Sequence, residues 1–302
     1  MNKIIQKLIY KIRSSWKNHL HTNKKKKARK KILKHFSQFP TSNKEIIAAV
    51  DYLSTHPLTT FYGDFQEKYI TEEVKVHFDP SNNLPYVITD GKRLYFKRSQ
   101  NIRTVQILFN SLRIEQDDHA PHCYTDANFK ITEGEIMADV GCAEGYFSLL
   151  NIEKTKKIYL FEQDREWIEA LEATFSHWKE KIKIIPKFIS DKNNENEITL
   201  DYYFKNTEEK PGFYKIDVEG AEASILKGME ELLHTPVKIA LCTYHNQHDY
   251  DLFSSFFEDR KFKHRHSNGL MIFHNDLDNM EPPFFRKCMI KATNKYDTPQ
   301  YD

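Results

Sequence analysis

Residues 136–150, IMADVGCAEGYFSLL, place two acids and two glycines at the end of a short apolar run. The apolar residues predict a buried strand that delivers Asp139, and Gly141 and Gly145 predict a sharp turn into a helix. In open parallel sheets, ligands bind beside such turns, at the carboxyl ends of the strands. We therefore expect Asp139, Gly141 and Glu144 to contact a ligand; an ordinary strand–turn–helix without one is the alternative.

The acids of this turn bear on which ligand it binds. Dinucleotide-binding turns have the spacing GxGxxG and hold a pyrophosphate at the helix N-terminus. Here three residues separate Gly141 from Gly145, and Asp139 and Glu144 would repel a pyrophosphate. S-adenosylmethionine has no phosphate, but it carries an ammonium and a sulfonium group. The pattern therefore favours S-adenosylmethionine over NAD.

Later positions extend this candidate donor site. Glu162 ends the next predicted strand about 21 residues beyond Gly141, where an acid can accept hydrogen bonds from both ribose hydroxyls. Ser190 and Asp191 follow the third strand, where they could bind the adenine amine or simply form a turn. The predicted donor-binding residues are Asp139, Gly141, Cys142, Ala143, Glu144, Gly145, Glu162, Gln163, Ser190, Asp191 and Asp217.

The segment FYKIDVEGAEASILKGMEEL, residues 213–232, has two acids where a strand passes into a helix. Asp217 and Glu219 should reach the same cleft, where they could hold the sulfonium side of a donor, take a proton or ligate a divalent cation. Acids at a helix N-terminus can also simply stabilise it. The spacing identifies no third ligand, so we predict no metal site.

A hydroxyl acceptor needs a general base or good alignment alone, because a sulfonium is already a strong electrophile. His245 follows the fifth predicted strand and titrates near neutrality, which makes it the leading base; a structural or helix-capping role is the alternative. His122 and Tyr124 could close over donor or acceptor. The predicted catalytic residues are His245, Asp217 and Glu219.

Two further motifs look chemical but do not fit this arrangement. Glu281-Pro-Pro-Phe284 mimics the (Asp/Asn)-Pro-Pro-aromatic motif of amino-directed methyltransferases, but that motif belongs after the fourth strand. We therefore predict a C-terminal turn there. His245-x-x-His248-Asp249 has the polarity of a metal site, yet two histidines at this spacing are more typical of a helix start.

From residue 136 onward, predicted strands alternate with helices. This alternation predicts a Rossmann-like α/β domain with a mostly parallel seven-stranded sheet. The last two strands are so close in sequence that they predict an antiparallel hairpin, which gives the sheet an antiparallel last strand. The predicted strands are 136–140, 157–161, 182–188, 213–217, 237–243, 262–266 and 269–273.

Four parts of the chain are predicted from these patterns. Upstream of the Rossmann-like domain, helical and alternating patterns predict a small α+β domain that contains a three-stranded meander at 74–78, 86–88 and 93–96. After Phe273 the chain turns polar, which predicts a frayed end. The predicted parts are a basic amphipathic arm (1–44), the small α+β domain (45–135), the Rossmann-like methyltransferase-type domain (136–275) and a polar C-terminal tail (276–302).

The formal net charge of +2 conceals an uneven distribution. Residues 1–44 contain 14 Lys and Arg and no Asp or Glu, whereas the rest of the chain has 31 basic and 43 acidic side chains. Helically spaced apolar residues over 3–20 and the lysine-rich run at 24–31 indicate an anionic partner for this arm alone. An anionic membrane surface contacted through residues 1–38, an RNA contact and a solvated or self-packed basic helix are the alternatives, with nucleic acid the least favoured.

Composition sets the compartment that we expect. No apolar run approaches the roughly 18–20 residues that cross a bilayer, and no secretory signal is present. The four cysteines have no CxxC or metal-type spacing, as is typical of free thiols. We therefore expect a cytoplasmic protein, peripheral at the inner face of the membrane if the arm binds lipid.

These motifs together resemble the FkbM family of methyltransferases. The similar segments are DVGCAEGYFSL for the donor loop, LFEQD for the ribose acid, KIDVEGAEASILKGMEEL as the family's most distinctive stretch, and IALCTYHN at 239–246. LPYVITDGKRLYFKR and EQDDHAPHCYTD resemble members encoded among bacterial surface-glycan genes. The resemblance covers roughly Glu45 to Phe273, and Cys142 departs from it where members usually have a small residue such as Ala.

The resemblance implies an S-adenosylmethionine-dependent O-methyltransferase that acts on a sugar, a glycan or another hydroxylated small molecule, as in polysaccharide biosynthesis. The expected mechanism is a single displacement, in which His245 deprotonates the acceptor. One rival hypothesis is a catalytically silent module of this fold in glycan assembly. A nucleic-acid methyltransferase, suggested by the lysine run, is another.

Overall fold

The structure is a computed structural model that describes residues 22–273, 277 and 280–295. The amphipathic pattern over 3–20 lies outside the described residues. The described residues form two compact units: the smaller combines the chain up to Asp64 with Gly269–Lys287, and the larger combines Phe65–Asn268 with the chain from Cys288. Each unit is therefore built from segments distant in sequence, and the predicted boundaries near 44, 135 and 275 stay predictions.

Several helices begin where the sequence supplies a side chain to cap them. Asn43, Asn101 and Asp164 each accept a hydrogen bond from a backbone N–H of the first turn. The helices of the described residues are α1 (22–38), α2 (Lys44–Thr55), α3 (Ile102–Glu115), α4 (Tyr146–Asn151), α5 (Arg165–Thr174), α6 (Leu200–Phe204), α7 (Glu222–Lys227) and α8 (Asp249–Asp259). Among them, none has the length and apolarity needed to cross a bilayer.

The strands fall into one large sheet and smaller ones. The predicted meander is confirmed as β1 (His77–Phe78), β2 (Pro85–Thr89) and β3 (Lys92–Tyr95), joined in antiparallel order. The remaining strands are β4 (Ile136–Val140), β5 (Lys157–Phe161), β6 (Ile182–Ile185), β7 (Phe188–Ile189), β8 (Glu197–Ile198), β9 (Phe213–Ile216), β10 (Lys238–Cys242), β11 (Lys263–His266), β12 (Leu270–Met271), β13 (Arg286–Lys287) and β14 (Met289–Thr293).

The large sheet has seven strands in the order β11-β14-β10-β9-β4-β5-β6. Strands β6, β5, β4, β9 and β10 run parallel, and β14 lies antiparallel between β10 and β11. Their inward residues pack with Phe204, Ile225 and Phe257 of the helices into one buried core. The prediction of a Rossmann-like, mostly parallel seven-stranded sheet is confirmed.

The predicted hairpin of 262–266 with 269–273 is wrong. β11 pairs with β14, and Leu270–Met271 pairs instead with β13 in a separate two-stranded sheet of the smaller unit. The antiparallel strand of the large sheet is therefore Met289–Thr293, within the segment predicted as a frayed tail. Its first four residues, Lys291 included, are buried between two neighbours, and burial of Met289, Ile290 and Ala292 outweighs the polar composition around them.

The predicted strand over 182–188 is interrupted by Pro186. β6 ends at Ile185, and β7 begins only at Phe188, where it pairs with β8 instead of β5. A proline has no backbone N–H to donate to a strand ladder, so pairing stops at this point. The chain between the two strands turns toward the carboxyl edge of the sheet.

Candidate active site

A cavity of about 520 Å³ lies in the larger unit at the carboxyl ends of β4, β5 and β9. Most of the predicted site residues line it, and the structure brings them together from three strand ends. These residues are Gly141, Cys142, Ala143, Glu144, Glu162, Gln163, Asp217 and Glu219. His122 and Tyr124, predicted to close over the site, also line it, as do Glu115, Trp167, Lys187, Lys215 and Tyr244, which the sequence did not single out.

The turn after β4 requires glycine at two positions. Gly141 has φ +72°, and a Cβ there would lie 2.1 Å from the Asp217 carbonyl oxygen. Gly145 has φ +76°, and its Cβ would lie 2.7 Å from Leu171 Cδ2. Because the first contact is with backbone, no side chain can be accommodated at 141 without moving the end of β9. The two glycines thus let the β4 turn, the β9 end and α5 pack closely around the cavity.

Glu162 lies where β5 ends and braces the turn after β4. One carboxylate oxygen accepts the Ala143 N–H at 3.1 Å, and the other accepts the Asp164 N–H at 2.8 Å. A carboxylate has further lone pairs, so both oxygens can still accept from a ligand in the cavity. The predicted ribose acid is therefore on the cavity wall.

Ser190 and Asp191 lie outside the cavity lining. Ser190 Oγ donates to Glu197 at 2.9 Å, and Ser224 donates to Asp191 at 2.9 Å, so both side chains stabilise a turn. Lys187, Phe188 and Ile189 line the cavity in their place. The interruption at Pro186 is what brings these earlier residues to the edge.

Asp139 also lies outside this cavity lining, beneath the turn, and it is 1% exposed. Ser148 Oγ donates to it at 2.6 Å, and Lys215 Nζ lies 3.1 Å from its other oxygen. Lys215 Nζ also donates to the Gly141 carbonyl at 2.6 Å. Burial disfavours the ammonium, but the charges of Asp139 and Asp217 outweigh it and hold the pKa of Lys215 above its usual range.

Lys215 therefore places a buried positive charge directly under the turn that follows β4. Sequence reasoning missed it because a lysine inside the apolar strand FYKI resembles an interruption of the pattern. The signal was available, since a charged residue in a fully buried parallel strand requires a partner.

Asp217 is the centre of a polar cluster at the end of β9. Tyr124 donates to one of its oxygens at 2.8 Å and Tyr244 to the other at 3.1 Å. His122 Nε2 lies 3.5 Å from the first oxygen. Burial raises the pKa of this carboxyl, but hydrogen bonding to His122 and the charge of Lys215 outweigh burial and hold it well below its usual range. These contacts favour the ionised form of Asp217 in the cavity wall.

His245 is held beside this cluster, although it does not itself line the cavity. Its Nδ1 lies 2.9 Å from Glu222 Oε1, and its Nε2 lies 3.7 Å from carboxylate oxygens of Asp217 and Glu219. Burial lowers the pKa of His245, but the hydrogen bond and charge of Glu222 outweigh it, so the pKa is raised overall. Glu222, 1% exposed, also accepts the Val218 N–H at 3.1 Å and was not among the predicted residues.

The cavity contains more acids than cations. Burial raises the pKa of Glu144 to about 7 and also raises that of Glu115. These two carboxyls therefore carry less negative charge than exposed ones. Glu162, Asp164, Asp217 and Glu219 are the other carboxylates of the wall, against Lys187, Lys215 and His122, whose pKa is raised. This balance suits a ligand with positive charges and disfavours one with a pyrophosphate.

Two groups of side chains around Asp217 have the composition of a metal site. Among the described residues, Asp217, Glu222 and His245 have possible ligand atoms within 4.8 Å of one another, as do His122, Asp217 and Cys242. The absence of a metal stays a prediction. Residues 281–284 form the predicted turn, in which the Phe284 N–H donates to the Glu281 carbonyl in the smaller unit.

The family model described as the methyltransferase FkbM domain matches residues 76–267. This span covers well over half of the chain and includes the meander, the donor turn, Asp217 and His245. The chain belongs to the FkbM methyltransferase family, a family of S-adenosylmethionine-dependent methyltransferases. No curated protein sequence matches it significantly.

Several solved methyltransferase structures are similar to this chain at low sequence identity. The FkbM methyltransferase of Methylobacillus flagellatus KT is 18% identical with a TM-score of 0.44, over 63% of this chain and 54% of that one. The precorrin-6y C5,15-methyltransferase of Geobacter metallireducens is 12% identical with a TM-score of 0.39, over 54% of this chain and 81% of that one. An rRNA methylase of Streptococcus thermophilus is 16% identical with a TM-score of 0.36, over 55% and 89% respectively.

Proposed function

We propose that this chain binds S-adenosylmethionine in the cavity at the ends of β4, β5 and β9 and methylates a hydroxyl group of a sugar, a glycan or a similar small molecule. One observation carries the proposal. The cavity is lined by a turn that requires glycine at position 141, and the carboxyl groups of Glu144, Glu162 and Asp217 lie around this turn. A positively charged nucleoside without phosphate fits these groups, whereas a dinucleotide does not.

The donor would be held by groups from successive strand ends. Glu162 would accept from the ribose hydroxyls, and Gln163 and Trp167 lie next to it on the wall. Phe188 and Ile189 offer apolar contact to the adenine base, in place of the polar contact predicted for Ser190 and Asp191. Glu144 and the backbone around Gly141 would hold the amino-acid end, with Lys215 available to its carboxylate and Asp139 holding Lys215 in place.

When bound, the donor supplies an electrophilic methyl group on its sulfonium. Asp217, kept anionic by its neighbours, would stabilise positive charge at the reacting edge. Neutral His245 would take the hydroxyl proton of the acceptor, whose oxygen would receive the methyl group in exchange for the sulfur of the donor. The His245 side chain is 5% exposed and lies behind the cavity wall, with its Nε2 3.7 Å from Glu219 Oε2, so the acceptor hydroxyl would have to approach it at this edge.

Two observations support the proposed acceptor class: the upstream resemblance and the chemistry of the cavity wall. LPYVITDGKRLYFKR and EQDDHAPHCYTD are similar to members encoded among surface-glycan genes. Tyr124, Tyr244 and Glu219 give this edge hydroxyl and carboxylate groups that can hydrogen-bond a polyhydroxylated acceptor. Mass spectrometry of surface glycans, with and without the active protein, tests this: the expected product is heavier by one CH₂ group.

Donor binding is tested by calorimetry on Glu162→Ala with S-adenosylmethionine and its demethylated product. Loss of the ribose acceptor should weaken both by about 1–3 kcal/mol, or roughly 5- to 150-fold. The affinity of Glu162→Gln should lie between those of the parent protein and Glu162→Ala. The control Glu180→Ala changes an exposed acid outside the cavity and should bind both ligands with the parent affinity. Unchanged affinity in Glu162→Ala, or equal affinity of the parent protein for NAD, would contradict the proposal.

A further inference from the structure

Helix α1 of the smaller unit has an apolar face and a lysine face. Ala28 and Ile32 are buried in the core of this unit, and Leu33 and Phe36 pack against that core. The other side of α1 is exposed. The exposed lysines of this helix are Lys24, Lys26, Lys27, Lys30, Lys31 and Lys34, of which Lys31 donates to the Met280 carbonyl.

The lysine-rich run is part of a packed helix. The run is a rigid array instead of a loose tail, because Ile32 is fully buried and Arg29 donates to the carbonyls of Leu53 and Ser54 on α2. Residues 1–44 contain no Asp or Glu. The exposed face thus carries several lysines whose positions are fixed by the core of the smaller unit.

We propose that the lysine face of α1 docks on a membrane surface rich in anionic lipid headgroups. The positively charged array complements such a surface, and each lysine near it contributes independently. Phe39, directly after α1, is 63% exposed and offers an apolar side chain to the interface. The one arginine of the described helix is occupied by backbone carbonyls, so this face presents point charges without a guanidinium that could stack on bases.

Docking is tested by vesicle sedimentation with the full chain. Vesicles of phosphatidylcholine with about a third phosphatidylglycerol should bind the protein, and pure phosphatidylcholine should not. Binding should weaken as salt rises from about 0.1 M to about 1 M, because the Debye length falls from about 10 Å to about 3 Å. Equal binding to both vesicles would overturn the proposal.

A matched pair of variants separates this face from charge in general. Lys27→Gln/Lys30→Gln/Lys34→Gln should weaken partitioning about a hundred-fold, while Lys154→Gln/Lys179→Gln/Lys192→Gln loses the same charge from exposed sites elsewhere and should bind normally. All six lysines are exposed, so both variants should keep the parent thermal transition. Equal losses in the two variants would overturn the proposal.

A binding measurement with single-stranded RNA completes the test. Binding of a single-stranded RNA that depends on the same three lysines, without retention on anionic vesicles, would assign this face to nucleic acid and overturn the proposal. Retention on vesicles with no RNA binding supports it. Phe39→Ser should weaken vesicle binding with little change in its salt dependence, since it removes apolar contact and no charge.

Discussion

Glu222 reaches His245 from the first turn of α7 and holds one nitrogen of its ring. The Oε1 atom lies 2.9 Å from Nδ1 and also accepts the Val218 N–H, so it ties the histidine to the turn that carries Asp217 and Glu219. The other ring nitrogen lies 3.7 Å from each of those carboxylates. A carboxylate that fixes the orientation of a histidine in this way is a recurrent arrangement for a general base.

The raised pKa of His245 predicts the pH dependence of methyl transfer. A base acts only when neutral, so the rate should rise with pH through a midpoint above the ordinary histidine value of about 6.5. Glu222→Gln keeps an oxygen for the Val218 N–H but removes the charge that raises this pKa. The midpoint should therefore fall toward the ordinary value, as measured by NMR titration of the His245 ring.

The control for this titration is Glu219→Gln. Glu219 is a lesser contributor to the pKa of His245 and its side chain is 86% exposed, so its neutralisation should move the midpoint less. Donor affinity should be retained in Glu222→Gln, since Glu222 does not line the cavity. A midpoint that stays in place in Glu222→Gln would rule out the assigned positioning role.

Among the elements, β14 is the strand whose placement needs the most explanation. It brings Lys291 directly opposite Arg265 of β11, a pairing of like charges that destabilises a sheet. Asp126, in the segment before β4, offsets this repulsion. Its Oδ2 lies 2.7 Å from Lys291 Nζ and 2.6 Å from an Arg265 nitrogen. Asp126 thus fixes the last two strands of the sheet.

Asp126→Asn should destabilise the larger unit by about 2 kcal/mol at neutral pH. Lys291 is 5% exposed and would lose its counterion, but Asp126 is itself a third exposed, so the effect should fall short of a fully buried pair. Urea unfolding of both proteins measures it. Asp118→Asn, which neutralises a nearby exposed acid, should unfold as the parent does.

The same pair also has a defined pH dependence. Burial opposes ionisation of Asp126, but Arg265 and Lys291 outweigh it and lower its pKa to about 2. A lowered pKa stabilises the fold above the unfolded value of about 3.9, and this contribution disappears as pH falls through about 2. The stability difference between parent and Asp126→Asn should therefore shrink below about pH 4. A difference independent of pH would refute the ionic explanation.

At the scale of the whole molecule, the chain alternates between two units. It passes from the larger unit into the smaller one at residue 269 and re-enters the larger one at residue 288. Gly269–Lys287 lies between β11 and β14 in sequence, yet it packs with α1 and α2 around Ile32, Leu53 and Phe284. This excursion explains why the partner of β11 comes so late in the chain. It also gives α1 a core of its own.

Ile32→Ala should loosen this excursion. Ile32 is fully buried among Leu270, Phe284 and neighbouring side chains, and its truncation should cost about 2–5 kcal/mol within the smaller unit. Limited proteolysis should then cleave within 269–287 more quickly than in the parent. Phe39→Ala, at a side chain that is 63% exposed, is the control and should be cleaved at the parent rate.

The sequence alone determined the features that depend on neighbouring residues. A buried strand, a glycine turn and an acid two residues away lie within one short segment, so IMADVGCAEG predicted the donor turn and KIDVEG predicted Asp217 at a strand end. The order of alternating elements likewise predicted the sheet, because a parallel strand requires a crossover helix.

Only the tertiary structure decided which distant segments meet. Tyr124 and Asp217 are 93 positions apart and Asp126 and Lys291 are 165 apart, and no spacing in the chain encodes such contacts. The hairpin prediction failed for the same reason, since either β14 or residues 269–273 can offer β11 a hydrogen-bonding edge. Burial of Met289–Ala292 between β10 and β11 decided between them, and that burial exists only once the whole sheet has formed.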